Sequence, residues 1–313
     1  MDKNKKSIIF LVGPTAVGKT AVSIALAKRI NAEIVSCDSM QIYRGFDVFT
    51  AKPAKAELHM VRHYLVDVFS PEKEYNVAIF RRQALLVIGK IYKKNKIPLI
   101  VGGSGMYFKV LIDGIFPEVE KDIGLRSRLI ALGSQKGTAF LYQKLQDIDP
   151  EICRIIQVND LRRIVRALEV YEITGKKMSE LQKQKEPLEK DYNVRIFGLN
   201  RNRQNLYKLI DKRVDKMFEQ GLVEVVRRLS KNKISISARQ ALGYKEIVDY
   251  LEEKTTLEEA NRLIKRNSRH FAKRQLTWFR QDKRIEWIDI DVLSIKEVVD
   301  RIIREMTKNR YKL

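Results

Sequence analysis

Over its first hundred residues the chain alternates between short continuous apolar runs and stretches of helical periodicity. Residues 7–12 form an apolar, β-branched run, polar only at Ser7, that stops at Gly13, which reads as a buried strand feeding a loop. Over residues 21–30 the period lengthens, and Val22, Ala25, Leu26 and Ile30 fall on one helix face. "AEIVSCDS" reads as a second strand and "HYLVDVF" as a third. Residues 77–94 then carry a helical stripe of Ile79/Phe80, Ala84, Val87/Ile88 and Ile91, and "IPLIVGGSG" is a fourth strand ending in glycines. Strands alternating with helices predict an α/β fold with a parallel, doubly wound sheet. Ligands of such sheets bind at the carboxyl ends of the strands.

From about Glu118 to Asp191 the strands give way to charged helices. One of these is expected to start at a cap formed by Asn159 or Asp160 and to stop near Gly175. Leu161, Ile164/Val165 and Leu168 would face a core, and Arg162, Arg163 and Arg166 would face outward. "NVRIFGLN" then reads as a strand again, so the chain returns to its first sheet. The expected layout is therefore a core of residues 1–117 and 192–313 with an inserted all-helical domain of residues 118–191. The C-terminal part is mostly helix, with one strand candidate at "RIEWIDI".

Three polar motifs sit at predicted strand ends. "GPTAVGKT", residues 13–20, is a GxxxxGK[ST] phosphate-binding loop. Its amides, the following helix N-terminus and Lys19 suit a chain of phosphates, and Thr20 suits a magnesium ion or a phosphate oxygen. A second carboxylate-bearing strand that would complete magnesium coordination is not evident; Asp67, in "YLVD", has few polar neighbours in sequence. "SCDSMQIY" puts Asp38 just past the second strand, where it could cap a helix, ligate a metal or take a proton, with Ser39 and Gln41 offering groups suited to a base edge. "VGGSGMYF" offers amides and the Ser104 hydroxyl, either as a tight strand-to-helix turn or as a second substrate-facing loop.

Charge narrows the partner class. The 313 residues carry 61 Lys and Arg against 39 Asp and Glu, a net charge of +22, which suits a polyanionic partner such as nucleic acid. Residues 261–284 alone hold nine Lys/Arg against one Asp. There, Ile264, Phe271 and Trp278 recur every seven residues and are expected in the core, while Arg262, Arg266, Arg269 and Lys273 share another face and suit a phosphate backbone. No apolar run is long enough to span a membrane. Cys37 and Cys153, the two cysteines, lack metal-ligand spacing, which fits a reducing cytoplasm.

Taken in order, "GPTAVGKT", "DSMQIYRGFDVFTAKP", "PLIVGGSGMYF", "NDLRRIVRALEVYEITGK", "ARQALGYKEI" and "KRQLTWFR" resemble the bacterial tRNA dimethylallyltransferases, also called tRNA isopentenyltransferases. The resemblance runs from Ile8 to about Arg280 and is specific as a set. It implies a P-loop-kinase-like core with an inserted helical domain, the tRNA anticodon stem-loop lying between them. It implies transfer of the dimethylallyl group of dimethylallyl diphosphate to N6 of adenosine 37, 3′ of the anticodon, in tRNAs reading codons that begin with U. Gly13, Pro14, Thr15, Ala16, Val17, Gly18, Lys19 and Thr20 then match the diphosphate loop, Arg213 a further diphosphate contact, and Asp38 the general base, with Lys19 and Thr20 assisting the leaving group. Thr20 would hold Mg2+ through the diphosphate. Asp38, Ser39, Met40, Gln41, Ser104, Arg126, Arg162, Arg163, Ile164, Val165 and Arg166 match tRNA-contacting positions. Ser104 stands where the family usually has threonine, and Arg62-His63 where it commonly has two histidines. No membrane partner is expected, and the working unit is expected to be a monomer. The alternatives from the residues alone are a P-loop small-molecule kinase, an adenylate prenyltransferase, or a non-catalytic RNA-binding module.

Overall fold

The computed structural model describes residues 5–50, 52–116 and 119–308. Six strands form one parallel sheet: β1 (Lys6–Val12), β2 (Ala32–Cys37), β3 (His63–Tyr64), β4 (Ile97–Gly102), β5 (Tyr192–Asn200) and β6 (Ile285–Asp289), in the order β3-β2-β4-β1-β5-β6. β1 lies between β4 and β5, with Phe10 opposite Ile100 on one side and Ile196 on the other. A strand covered on both faces is apolar throughout rather than alternating, which is why residues 8–12 are all buried. Ile9 and Leu11 pack with Val22, Leu26 and Ala27 of the helix Lys19–Arg29 and with Val298, Val299 and Ile302 near the C-terminus.

β3 is shorter than its sequence suggests. Only His63 and Tyr64 pair with β2, opposite Ile34 and Val35. Leu65 and Asp67 then adopt left-handed backbone, φ 59° and 57°, which breaks the strand. The segment instead turns onto the loop after β2: the amide of Asp67 donates to Gln41 O, and those of Val68 and Phe69 to Ile42 O. Asp67 itself pairs with Lys52 Nζ at 2.5 Å, an ammonium that also meets Asp47 at 2.7 Å. Its carboxylate is thereby part of a loop clasp.

Two compact units divide the chain: Met1–Leu111 with Glu189–Leu313, and Ile112–Leu188. The second is helical. Its main helix, Leu161–Thr174, starts at Asp160, whose Oδ1 accepts from Arg163 N, and stops at Gly175 with φ 68°. The apolar arc of this helix, Ile164, Val165 and Leu168, is buried against Leu125, Leu129, Leu141 and Leu145.

In the first unit the long basic helix Leu257–Arg280 turns a different face inward than its seven-residue spacing suggests. Ala260, Ile264, Ser268, Ala272, Gln275 and Phe279 are buried, whereas Phe271 and Trp278 are half-buried at the edge. The buried positions advance mostly in steps of four, so the arc they cover is centred away from the Ile264–Phe271–Trp278 line and leaves Phe271 and Trp278 at its edge. The positive charge also has tertiary counterions. Arg269 pairs with Asp211 and Lys265 with Asp215, both on the helix Arg203–Glu219, and Arg262 pairs with Glu259 one turn earlier.

Candidate active site and RNA-facing residues

The phosphate loop runs from the carboxyl end of β1 into the helix Lys19–Arg29. Gly18 sits at φ 107° as the N-cap residue, a backbone that L side chains rarely adopt, and no side chain caps the helix. The first-turn amides therefore point outward with the positive end of the helix dipole behind them. Val17 is fully buried in the apolar core, so it anchors the loop and faces a ligand only through its backbone. Lys19 Nζ donates to Gly13 O at 2.9 Å and Pro14 O at 2.7 Å. Burial pushes the Lys19 ammonium down to about 8; the negative charge of Asp38 opposes the shift and Arg213 adds to it.

Arg213 reaches the same loop from the helix Arg203–Glu219. Its Nη1 donates to the Thr15 hydroxyl and its Nη2 to Phe49 O at 3.2 Å. Burial lowers this guanidinium too, and Asp38 again opposes the shift. Lys19, Arg213 and Asp38 are thus close enough to act on one another electrostatically, although they come from three separate parts of the sequence.

Asp38 follows β2. Its Oδ1 accepts from the amides of Met40 at 2.9 Å and Gln41 at 3.3 Å, so the carboxylate folds its own turn; Oδ2 has no hydrogen-bond partner among the described residues. Ser104 follows β4, and its hydroxyl accepts from Ser39 N at 3.0 Å. The sequence left a helix-capping Asp38 and a chemical one as alternatives; one oxygen serves a turn rather than a helix, and the other stays available. Gln41 differs from the expectation of a free base-edge group. Its Oε1 accepts from Ser36 Oγ and its Nε2 donates to Thr50 O, which engages both ends of the amide inside the loop.

The residues matched to RNA contacts in the helical unit sort into two kinds. Arg162 and Arg163 are exposed. Ile164 and Val165 are buried, a correction to their placement among contact residues: their side chains build the helical core. Arg166 does not face outward as its helical spacing suggested. Its Nη1 donates to Glu169 Oε2 at 2.7 Å, and Arg126 Nη2 donates to the same oxygen at 2.6 Å. Glu169 is fully buried, and a carboxylate in that position requires cationic partners.

Sequence reading missed Gln275. Its Oε1 accepts from Thr15 N at 2.8 Å and its Nε2 donates to Gly103 O at 2.8 Å. The available signal was a polar residue on the 264, 268, 272, 275, 279 arc, where the other positions are small or apolar.

A family description, IPP transferase, matches residues 41–282. A tRNA dimethylallyltransferase of Carboxydothermus hydrogenoformans is 47% identical over 311 residues, covering 98% of this chain and 99% of its own. One of Halothermothrix orenii is 44% identical over 302 residues, covering 96% and 92%. Among solved structures, the full-length tRNA isopentenylpyrophosphate transferase of Bacillus halodurans superposes with a TM-score of 0.73 at 38% identity, covering 97% of this chain and 96% of its own. A eukaryotic dimethylallyltransferase captured acting on tRNA superposes with a TM-score of 0.80 at 27% identity, covering 97% and 80%.

Proposed function

The chain belongs to the IPP transferase family and is a prenyltransferase that modifies tRNA, and on that premise we propose that it moves the dimethylallyl group of dimethylallyl diphosphate onto N6 of adenosine 37 in tRNAs reading codons that begin with U. The observation that carries the reading is the placement of Asp38: one carboxylate within electrostatic reach of both Lys19 and Arg213, at the carboxyl end of β2, which only β4 separates from β1 in the sheet.

The chemistry divides between these groups. Adenine N6 attacks carbon 1 of the donor, the carbon–oxygen bond to the diphosphate breaks, and its electron pair leaves with the diphosphate. N6 becomes acidic only as its new bond forms, so a base is needed late, and the unengaged Oδ2 of Asp38 takes the proton. Lys19, Arg213, the loop amides and the helix N-terminus stabilise the charge that grows on the diphosphate. Mg2+ would be held by the Thr20 hydroxyl together with the oxygens of the diphosphate itself. Magnesium would supply charge neutralisation at those oxygens. The base must leave its stack to meet a donor held at the sheet. Arg162 and Arg163, with the exposed Arg266 and Lys273, suit the RNA backbone, and the protein works as a monomer.

Labelled dimethylallyl diphosphate, offered separately with tRNA and with AMP, tests this reading. Mass analysis of the nucleosides is expected to show a dimethylallyl adenosine from tRNA only, mapped to position 37. Label on AMP, or on a different tRNA position, would overturn the substrate assignment.

A further inference from the structure

Gln275 is a buried amide with both ends engaged, and neither end serves its own helix. Its carbonyl oxygen holds the backbone N–H of Thr15, in the phosphate loop after β1. Its amide nitrogen holds the carbonyl of Gly103, after β4. Each of these partners leads directly to a group of the site. Thr15 carries the hydroxyl that accepts from Arg213. Gly103 precedes Ser104, whose hydroxyl accepts from Ser39 N at 3.0 Å, one residue beyond Asp38. A continuous path therefore runs from Arg213 through Thr15, Gln275, Gly103 and Ser104 to Ser39, and Gln275 is its side-chain link between the two loops.

The fit around this side chain leaves no slack. A Cβ on Gly103 would lie 2.4 Å from Gln275 Nε2, and one on Gly105 would lie 2.6 Å from the Trp278 ring. Phe279 packs edge-on to Phe108 at 5.4 Å between ring centroids. The last two turns of the Leu257–Arg280 helix are thus seated on residues 103–108 at three successive contacts, and Gln275 extends that seat to the phosphate loop. One Thr15 amide is consequently committed to the protein rather than to an anion.

We propose that Gln275 is a positioning residue that sets the spacing between the phosphate loop and the loop bearing Asp38. It touches neither substrate and acts through Thr15 and Gly103. Rate depends on this spacing because the donor carbon and the proton acceptor must be held in one geometry with the nucleophile, and small misplacements are costly. The inference rests on the reading that the phosphate loop binds the prenyl donor and that Asp38 is the base.

The test is Gln275→Met, which keeps the length and loses both hydrogen bonds, with Gly103→Ala as a second variant that displaces the amide from the opposite side. Folding is checked by thermal unfolding, tRNA affinity by filter binding, and kcat and donor KM at saturating tRNA. Both variants are expected to lower kcat about tenfold and raise donor KM about tenfold while tRNA affinity stays within about twofold. A purely structural role would lower the unfolding temperature and the active fraction and leave donor KM per active enzyme unchanged; that result in either folded variant overturns the proposal. Lys19→Met separates the underlying reading. If Lys19→Met leaves donor KM unchanged, the loop does not hold the donor; if it raises donor KM and the Gln275 and Gly103 variants do not, the positioning role alone fails.

Discussion

Lys19 Nζ donates to the carbonyl of Gly13, 2.9 Å away, within its own loop. The contact places an ammonium among carbonyls in a desolvated position, and burial holds its pKa near 8 rather than 10.5. In the folded protein the charged form is therefore lost as pH rises through about 8, and a neutral lysine contributes little to an anion. A bound diphosphate favours the charged form, so binding takes up a proton above that pH. Donor affinity is expected to be flat from pH 7 to 8 and to fall up to about tenfold per unit above it. Calorimetric titrations at pH 7, 8 and 9 check this, and Lys19→Met should remove the slope. A wild-type affinity that rises with pH would contradict it.

Asp38→Ala should lower the rate of prenyl transfer by about a hundredfold to ten-thousandfold. Its tRNA affinity should stay within a few fold of wild type, because Arg162 and Arg163 are untouched. Single-turnover rates and filter binding measure the two quantities separately. Transfer at the wild-type rate would remove Asp38 from the role of base.

Arg163 and Arg166, three residues apart on one helix, should respond differently to alanine. Arg163 is exposed, and losing it should weaken tRNA binding and lower the salt slope by about one phosphate. Arg166 shares the buried Glu169 with Arg126, so losing it should destabilise the protein by about 1–3 kcal/mol. Salt titrations of tRNA binding and denaturant unfolding distinguish them. Equal unfolding midpoints for the two variants would argue against a supporting role for the Glu169 pair.

Gly102→Ala should be among the more damaging small substitutions. An added Cβ would lie 2.0 Å from Cys37 O, the backbone of the neighbouring strand, which no rotamer change relieves. The cost is expected at about 3 kcal/mol or more, as for overpacked cores. Gly137→Ala, where a Cβ meets nothing within 4 Å, provides the comparison, its own cost arising from its φ of 86°. Chemical unfolding of the two variants checks the ranking.

Much of the fold was legible because it is written in local patterns. Residues 8–12 read as a buried strand because every side chain is apolar, and β1 is paired on both sides. Asp160 and Gly175 marked the ends of their helix, since capping is a local contest for backbone hydrogen bonds. β3 failed as a long strand for a reason outside its own segment: the amides of residues 67–69 are taken by Gln41 and Ile42. Arg166 likewise looked like its neighbours Arg162 and Arg163 until Glu169, buried one turn on, drew it inward.

The loop of phosphate-binding type, the strand that precedes it, the carboxylate after β2 and the excess of positive charge are all readable from the sequence, because each depends on residue type and short spacing. Which of these groups meet depends on contacts between distant parts of the chain. Arg213 reaches Thr15 and Gln275 joins Thr15 to Gly103 across 198, 260 and 172 residues of chain. Such contacts are fixed by how the helices Arg203–Glu219 and Leu257–Arg280 pack on the sheet, and packing is a property of all the buried surfaces together. Packing likewise decides which cations of the basic helix pair with carboxylates, as Arg269 does with Asp211 and Lys265 with Asp215.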